Sequence, residues 1–123
     1  MKYLIMIYHT QSALDTWASL PAERRAEGMR AHEALVAALT ASGELVLSEA
    51  LAPPDEAREV RVLDGAVTVT DGPFAEVKEF LAGFYLVECA SMDRALACAA
   101  LIPDAAAGRI EVRPVLTPEG TRR

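Results

Sequence analysis

Lys2-Tyr3-Leu4-Ile5-Met6-Ile7-Tyr8 is the stretch from which the architecture follows. It is a short run of aromatic, β-branched and other apolar residues, and at that length the pattern favours a strand over a helix. Along a strand successive side chains point to opposite faces, so Tyr3, Ile5 and Ile7 share one face and Leu4, Met6 and Tyr8 the other. Both faces therefore want burial. Helices can cover only one face of a sheet built around such a strand, so a second copy of the sheet is expected on the other, which makes a homodimer.

Outward from this strand, Ser19, Pro21 and Glu23 supply helix-start chemistry, and Met29, His32, Leu35, Val36 and Leu39 then recur at helical spacing until Gly43. The spacing predicts a helix from about Pro21 to Ser42, preceded by a turn of helix around Ala13 to Ala18 anchored by Trp17. Glu44 to Ala52 reads as a second strand, ended by Pro53-Pro54. Val60 to Leu63 and Ala66 to Thr70 flank Asp64-Gly65, a pair suited to the positive φ angles of a hairpin turn. Gly83 to Ala90 reads as a strand, Ser91 caps a helix over Met92 to Ile102 with Asp93 in its first turn, and Arg109 to Val115 is the last strand. The order is strand-helix-strand, a hairpin insertion, then strand-helix-strand. This is a ferredoxin-like split βαβ duplication of the α+β class: an antiparallel sheet with helices on one face. It occupies residues 1–116 as a single domain, with a polar C-terminal tail over 117–123.

Composition narrows the function classes. The 123 residues are 52% hydrophobic and 24% charged, which is globular rather than disordered. A net charge of -6 repels phosphate backbones, so no nucleic-acid partner is expected. Cys89 and Cys98 lack CxxC spacing and fall in predicted core elements, as reduced thiols packing like small hydrophobes. The N-terminal apolar run is too short for a signal peptide, and no segment approaches the ~20 apolar residues of a membrane span. A cytoplasmic location without membrane association is expected. His9 and His32 are the only histidines, and no HxxxH or HExxH spacing occurs, so no metal site is expected. Nucleotide-binding glycine loops and a nucleophile elbow are absent from the sequence, and no cofactor is expected.

Two residues stand out for chemistry. Asp71 lies in Thr70-Asp71-Gly72-Pro73-Phe74, where Gly and Pro stiffen the turn and Pro73 removes the N–H that an ordinary Asx-turn uses. Its carboxylate either caps this turn in solvent or is aimed into a cavity. His32 shares the apolar stripe of the long helix, so it is either a core residue or a group poised at a pocket with a proton to exchange near neutrality.

The Asp71 stretch, continued by Ala75-Glu76-Val77-Lys78-Glu79-Phe80-Leu81-Ala82-Gly83-Phe84-Tyr85, resembles the signature of the DGPF-domain, YCII-related family, and the resemblance extends over roughly residues 2 to 116. It implies membership of the dimeric α/β-barrel superfamily, in which two ferredoxin-like sheets pack face to face. It also implies that a histidine of the first helix and an aspartate form the catalytic pair. His32 in Ala31-His32-Glu33 matches the first and Asp71 the second. A carboxylate bonded to imidazole fixes the tautomer and raises its basicity, as a general base requires. Tyr8, Glu49, Lys78, Glu79 and Arg113 are the candidate substrate-binding residues around this pair, or else solvated surface groups. Lys78 is the group suited to an anionic substrate oxygen. The expected activity is cofactor-free acid–base chemistry of lyase or isomerase type on a small-molecule ligand. The alternative is a ligand-sensing or accessory protein, since the resemblance also implies a link to extracytoplasmic-function sigma factors.

Overall fold

The computed structural model describes residues 1–72 and 78–123. Its first strand, β1 (Lys2–His9), is followed by α1 (Gln11–Ser19), α2 (Ala22–Ala41) and β2 (Leu45–Ala50). A hairpin of β3 (Arg58–Leu63) and β4 (Ala66–Asp71) intervenes before β5 (Phe80–Glu88), α3 (Met92–Ala100) and β6 (Arg109–Pro114). The main sheet has the order β2-β5-β1-β6, and all of its neighbours are antiparallel. This is the ferredoxin-like order, with β1 and β5 central.

The core forms where the alternation of β1 places it. Tyr3, Ile5 and Ile7 are buried with Tyr85 and Val87 of β5, and Leu35, Leu39, Ala95, Cys98 and Ala99 of α2 and α3 close over them. Ile5 and Val87 have no exposed surface, so truncating Ile5 to Ala costs about 2–5 kcal/mol through lost burial and the cavity left behind. Both cysteines are buried and free. The opposite face of the sheet carries Leu4 opposite Leu86 and Met6 opposite Phe84.

Several boundaries differ from the sequence reading for identifiable reasons. The region around Trp17 is a full nine-residue helix, because Thr10 Oγ1 accepts the Ala13 N–H and caps it. β5 starts at Phe80 rather than Gly83, since Tyr8 and His9 of β1 pair with Leu81 and Phe80. α3 stops at Ala100, and Pro103–Ala106 forms a separate 3-10 turn. Residues 117–123 fold back on themselves: Thr117 bonds Thr121, and the Arg123 N–H reaches the Val115 carbonyl.

Asp64 and Gly65 both have positive φ (50° and 79°), as the hairpin turn requires. β3 and β4 form their own two-stranded sheet. Val60 faces Val69 and Val62 faces Val67 across it, and all four are more than half exposed. An isolated two-stranded hairpin is marginal in water.

Candidate functional site

Three segments far apart in sequence meet at one end of the sheet. β1 ends at His9, α2 presents His32 from its middle, and the 3-10 turn after α3 begins Pro103-Asp104. Asp104 Oδ2 lies 2.5 Å from His9 Nε2, and Asp104 Oδ1 lies 2.5 Å from His32 Nε2. The first contact is a hydrogen bond, whereas the second is a close approach in which Oδ1 has no well-aligned donor among the described residues. The other nitrogen of His32, Nδ1, lies 3.0 Å from the Tyr85 hydroxyl, and the two rings are near-parallel at 6.5 Å.

The tautomers follow from these partners. An Nε2–H of a neutral ring turned toward Asp104 leaves Nδ1 as an acceptor, so the Tyr85 O–H donates to His32. The same logic leaves His9 Nδ1 as an acceptor, and it is buried without a partner among the described residues. Burial pushes the Tyr85 phenol above its usual range, the adjacent Ser48 pulls it down, and the Asp104 charge adds to the rise. Tyr85 thus stays a donor.

The turn that carries Asp104 is held close to β1. The Ala107 and Gly108 N–H groups both donate to the Asp104 carbonyl. A Cβ on Gly108 would come within 2.6 Å of the Tyr8 carbonyl and 3.4 Å of His9 Nδ1, so only glycine lets the loop bring Asp104 against both histidines.

His9, His32, Tyr85 and Asp104 line one end of a cavity of about 1000 Å³ between the sheet, α1 and α2. The remainder is mostly apolar, with Leu14, Trp17, Met29, Val36, Leu51 and Phe80 among its walls. Met29, which the helical stripe assigned to the sheet-facing core, is 56% exposed and belongs to this wall. Trp17 packs over Gly28, where a Cβ would meet its ring at 2.9 Å.

The residues singled out from sequence distribute as follows. His32 is at the centre of the site, and Glu49 lines the cavity. The expected contact of His32 with Asp71 is replaced by one with Asp104. Asp71 ends β4, its side chain is 86% exposed, and it takes Arg58 Nη1 at 2.6 Å. Pro73 and Phe74, the rest of the predicted stiff turn, lie outside the described residues. Tyr8 sits on the opposite face of β1 with Arg109 stacked 4.2 Å over its ring, and Arg109 also binds Glu79 and Glu111. Arg113 is exposed on β6, on that same face, and Lys78 is exposed. Neither is among the described lining residues. His9 and Asp104 were not singled out as site residues. The one local signal for Asp104 is a carboxylate directly after a proline at the start of a helical turn. Among the described residues no group of three His, Cys, Asp or Glu is arranged to hold a metal ion, and no helix is long and apolar enough to cross a membrane.

The comparisons agree with this architecture: the YCII-related domain model matches residues 1–118, and the chain belongs to that family. It is also similar to an uncharacterized protein of Rhizobium meliloti (strain 1021), 38% identical over 117 residues that cover 94% of this chain and 92% of the relative.

Proposed function

We propose that the protein is a small-molecule enzyme performing cofactor-free acid–base chemistry of the lyase or isomerase type, with His32 as the base. The carrying observation is Asp104 set between the Nε2 atoms of two histidines while His32 Nδ1 meets Tyr85 at the wall of the cavity. In this scheme an acidic C–H or O–H of the substrate gives its proton to the Tyr85 oxygen as the Tyr85 proton passes to His32 Nδ1. The products of the step are a substrate anion, a neutral Tyr85 and an imidazolium beside the Asp104 carboxylate. Return of the proton to another carbon completes an isomerisation; expulsion of a leaving group completes an elimination.

Asp104 takes the role that the family resemblance gives to Asp71. Glu49 is the substrate-binding candidate retained on the cavity wall, while Tyr8, Lys78, Glu79 and Arg113 act, in this reading, away from the reacting atoms. The test is uptake of solvent deuterium into neutral ketones such as 2-tetralone. His32→Gln is expected to lower the catalysed rate by roughly 10²-fold or more, the usual scale of a general base, with Asp71→Asn close to wild type. Equal rates in wild type and His32→Gln would contradict the scheme.

The Thr70-Asp71-Gly72 stretch supports placement in the DGPF branch of the family, and the similar Rhizobium meliloti protein supports a bacterial setting. The apolar face built from Leu4, Met6, Phe84 and Leu86 supports a homodimer through the sheet. Sedimentation should give twice the chain mass, and Phe84→Lys should give monomers. The second reading, a ligand-sensing or accessory protein of an extracytoplasmic-function sigma factor, is favoured by the exposed valine face of the β3–β4 hairpin. Binding of such a partner, abolished by Val62→Lys and Val67→Lys, would support it.

A further inference from the structure

The charges around the cavity are one-sided. Asp104, Glu33 and Glu49 line it, and no Lys or Arg stands among the described lining residues. Two of the neutral hydroxyls on the α1 side are engaged locally: Thr10 caps α1, and Thr16 donates to the Ser12 carbonyl. Of the two histidines, each turns one nitrogen toward Asp104. A carboxylate or phosphate entering here would lose its hydration to a wall that offers no full positive charge while approaching three carboxylates. The rise of the Tyr85 phenol, caused by burial first and Asp104 also, shows that this end of the cavity already resists a further negative charge. The apolar walls and a volume near 1000 Å³ suit a molecule of drug-like size.

We propose that the cavity takes a neutral, largely apolar ring compound carrying a carbonyl or weakly acidic hydroxyl, and rejects carboxylates and phosphates. The ring lies between Trp17 and Leu14 of α1 and the Met29–Val36 side of α2, with its polar group directed to Tyr85 and His32. This rests on the acid–base reading for what the polar group undergoes; the charge selection does not depend on it. It also removes the need for a cationic anchor such as Lys78.

Two probes of similar bulk separate the cases: 2-tetralone, a neutral ketone with an acidic C–H, and 2-naphthoate, an anion. Calorimetric titration of the full chain, with quenching of Trp17 as a local reporter, is expected to show 2-tetralone binding at least roughly tenfold tighter than 2-naphthoate. Glu33→Gln, at an exposed position of the cavity rim, should narrow that ratio without loss of 2-tetralone binding. Equal or tighter binding of 2-naphthoate, or no binding of 2-tetralone, overturns the proposal. If 2-tetralone binds with the expected preference but takes up no deuterium in a His32-dependent way, the ligand class stands and the acid–base reading fails.

Discussion

His32 Nε2 lies 2.5 Å from Oδ1 of Asp104, and this contact joins the middle of a long helix to a turn on the far side of α3. The other oxygen of the same carboxylate is bonded to His9. One ionised group therefore orients two imidazoles, and a single loop sets the geometry of the whole site.

Because His9 supplies the one well-aligned donor to the Asp104 carboxylate among the described residues, its removal should loosen the carboxylate. His9→Ala is expected to lower stability by about 1–3 kcal/mol, the cost of leaving a mostly buried acceptor without its partner. His9→Gln, which keeps a side-chain N–H at a similar reach, should recover much of that loss. Chemical denaturation of the three proteins measures both effects.

Tyr85 links the core to the site. Burial raises its phenol, so the folded chain resists ionisation. The sign follows: a raised value means that this group's contribution is full below the unfolded value near 10 and fades as pH rises through the higher folded value. Wild-type stability should decline above about pH 10, and Tyr85→Phe should flatten that part of the decline. At neutral pH Tyr85→Phe should cost about 0.5–1.5 kcal/mol through the lost bond to His32. Thermal melts across the pH range distinguish the two variants.

Much of the fold was legible locally, because its signals are local. The alternation in Lys2 to Tyr8, the Asp64-Gly65 turn and the Ser91 cap each act within a few residues, and each element lies where those signals put it. The site was half legible. His32 stood out as a polar residue on an apolar stripe, but its carboxylate comes from a turn that only the folded sheet brings near. Asp71 is prominent in sequence because Gly and Pro flank it, yet as the last residue of β4 it pairs with Arg58 at the surface. That exposed pair contributes about 0–1 kcal/mol. Thr10, which caps α1 and so helps build the cavity wall, is the local signal that was overlooked.

A different ion pair contributes to acid stability. Glu44, just before β2, takes two bonds from the Arg94 guanidinium of α3, at 2.7 and 2.8 Å, and one from Ser42. Arg94 above all, with Ser42, holds the Glu44 carboxyl down at about 2 instead of 4.5. A depressed value stabilises the fold above the unfolded value, and the contribution is lost as pH falls from 4.5 toward 2. Glu44→Gln should therefore be less stable than wild type at neutral pH, with the difference shrinking across that acid window. Urea titrations at a series of pH values give the measurement.

Gly108 is the close-packed point of the arrangement. Gly108→Ala sets a methyl against the Tyr8 carbonyl at 2.6 Å, and backbone on both sides leaves no flexible atom to give way. The expected cost is about 1–3 kcal/mol, as for other forced overpacking. Displacement of the Asp104 turn should reduce ligand binding as well. Thermal unfolding and 2-tetralone titration of the variant check the two effects.

The most direct test of the site is nitrogen NMR of the two histidine rings in the wild type, Asp104→Asn and Asp71→Asn. The expected result is that Asp104→Asn shifts the ring nitrogens of His9 and His32 together, while Asp71→Asn leaves both where they are. A change at His32 in Asp71→Asn, with none in Asp104→Asn, would contradict the account and return the role of partner to Asp71.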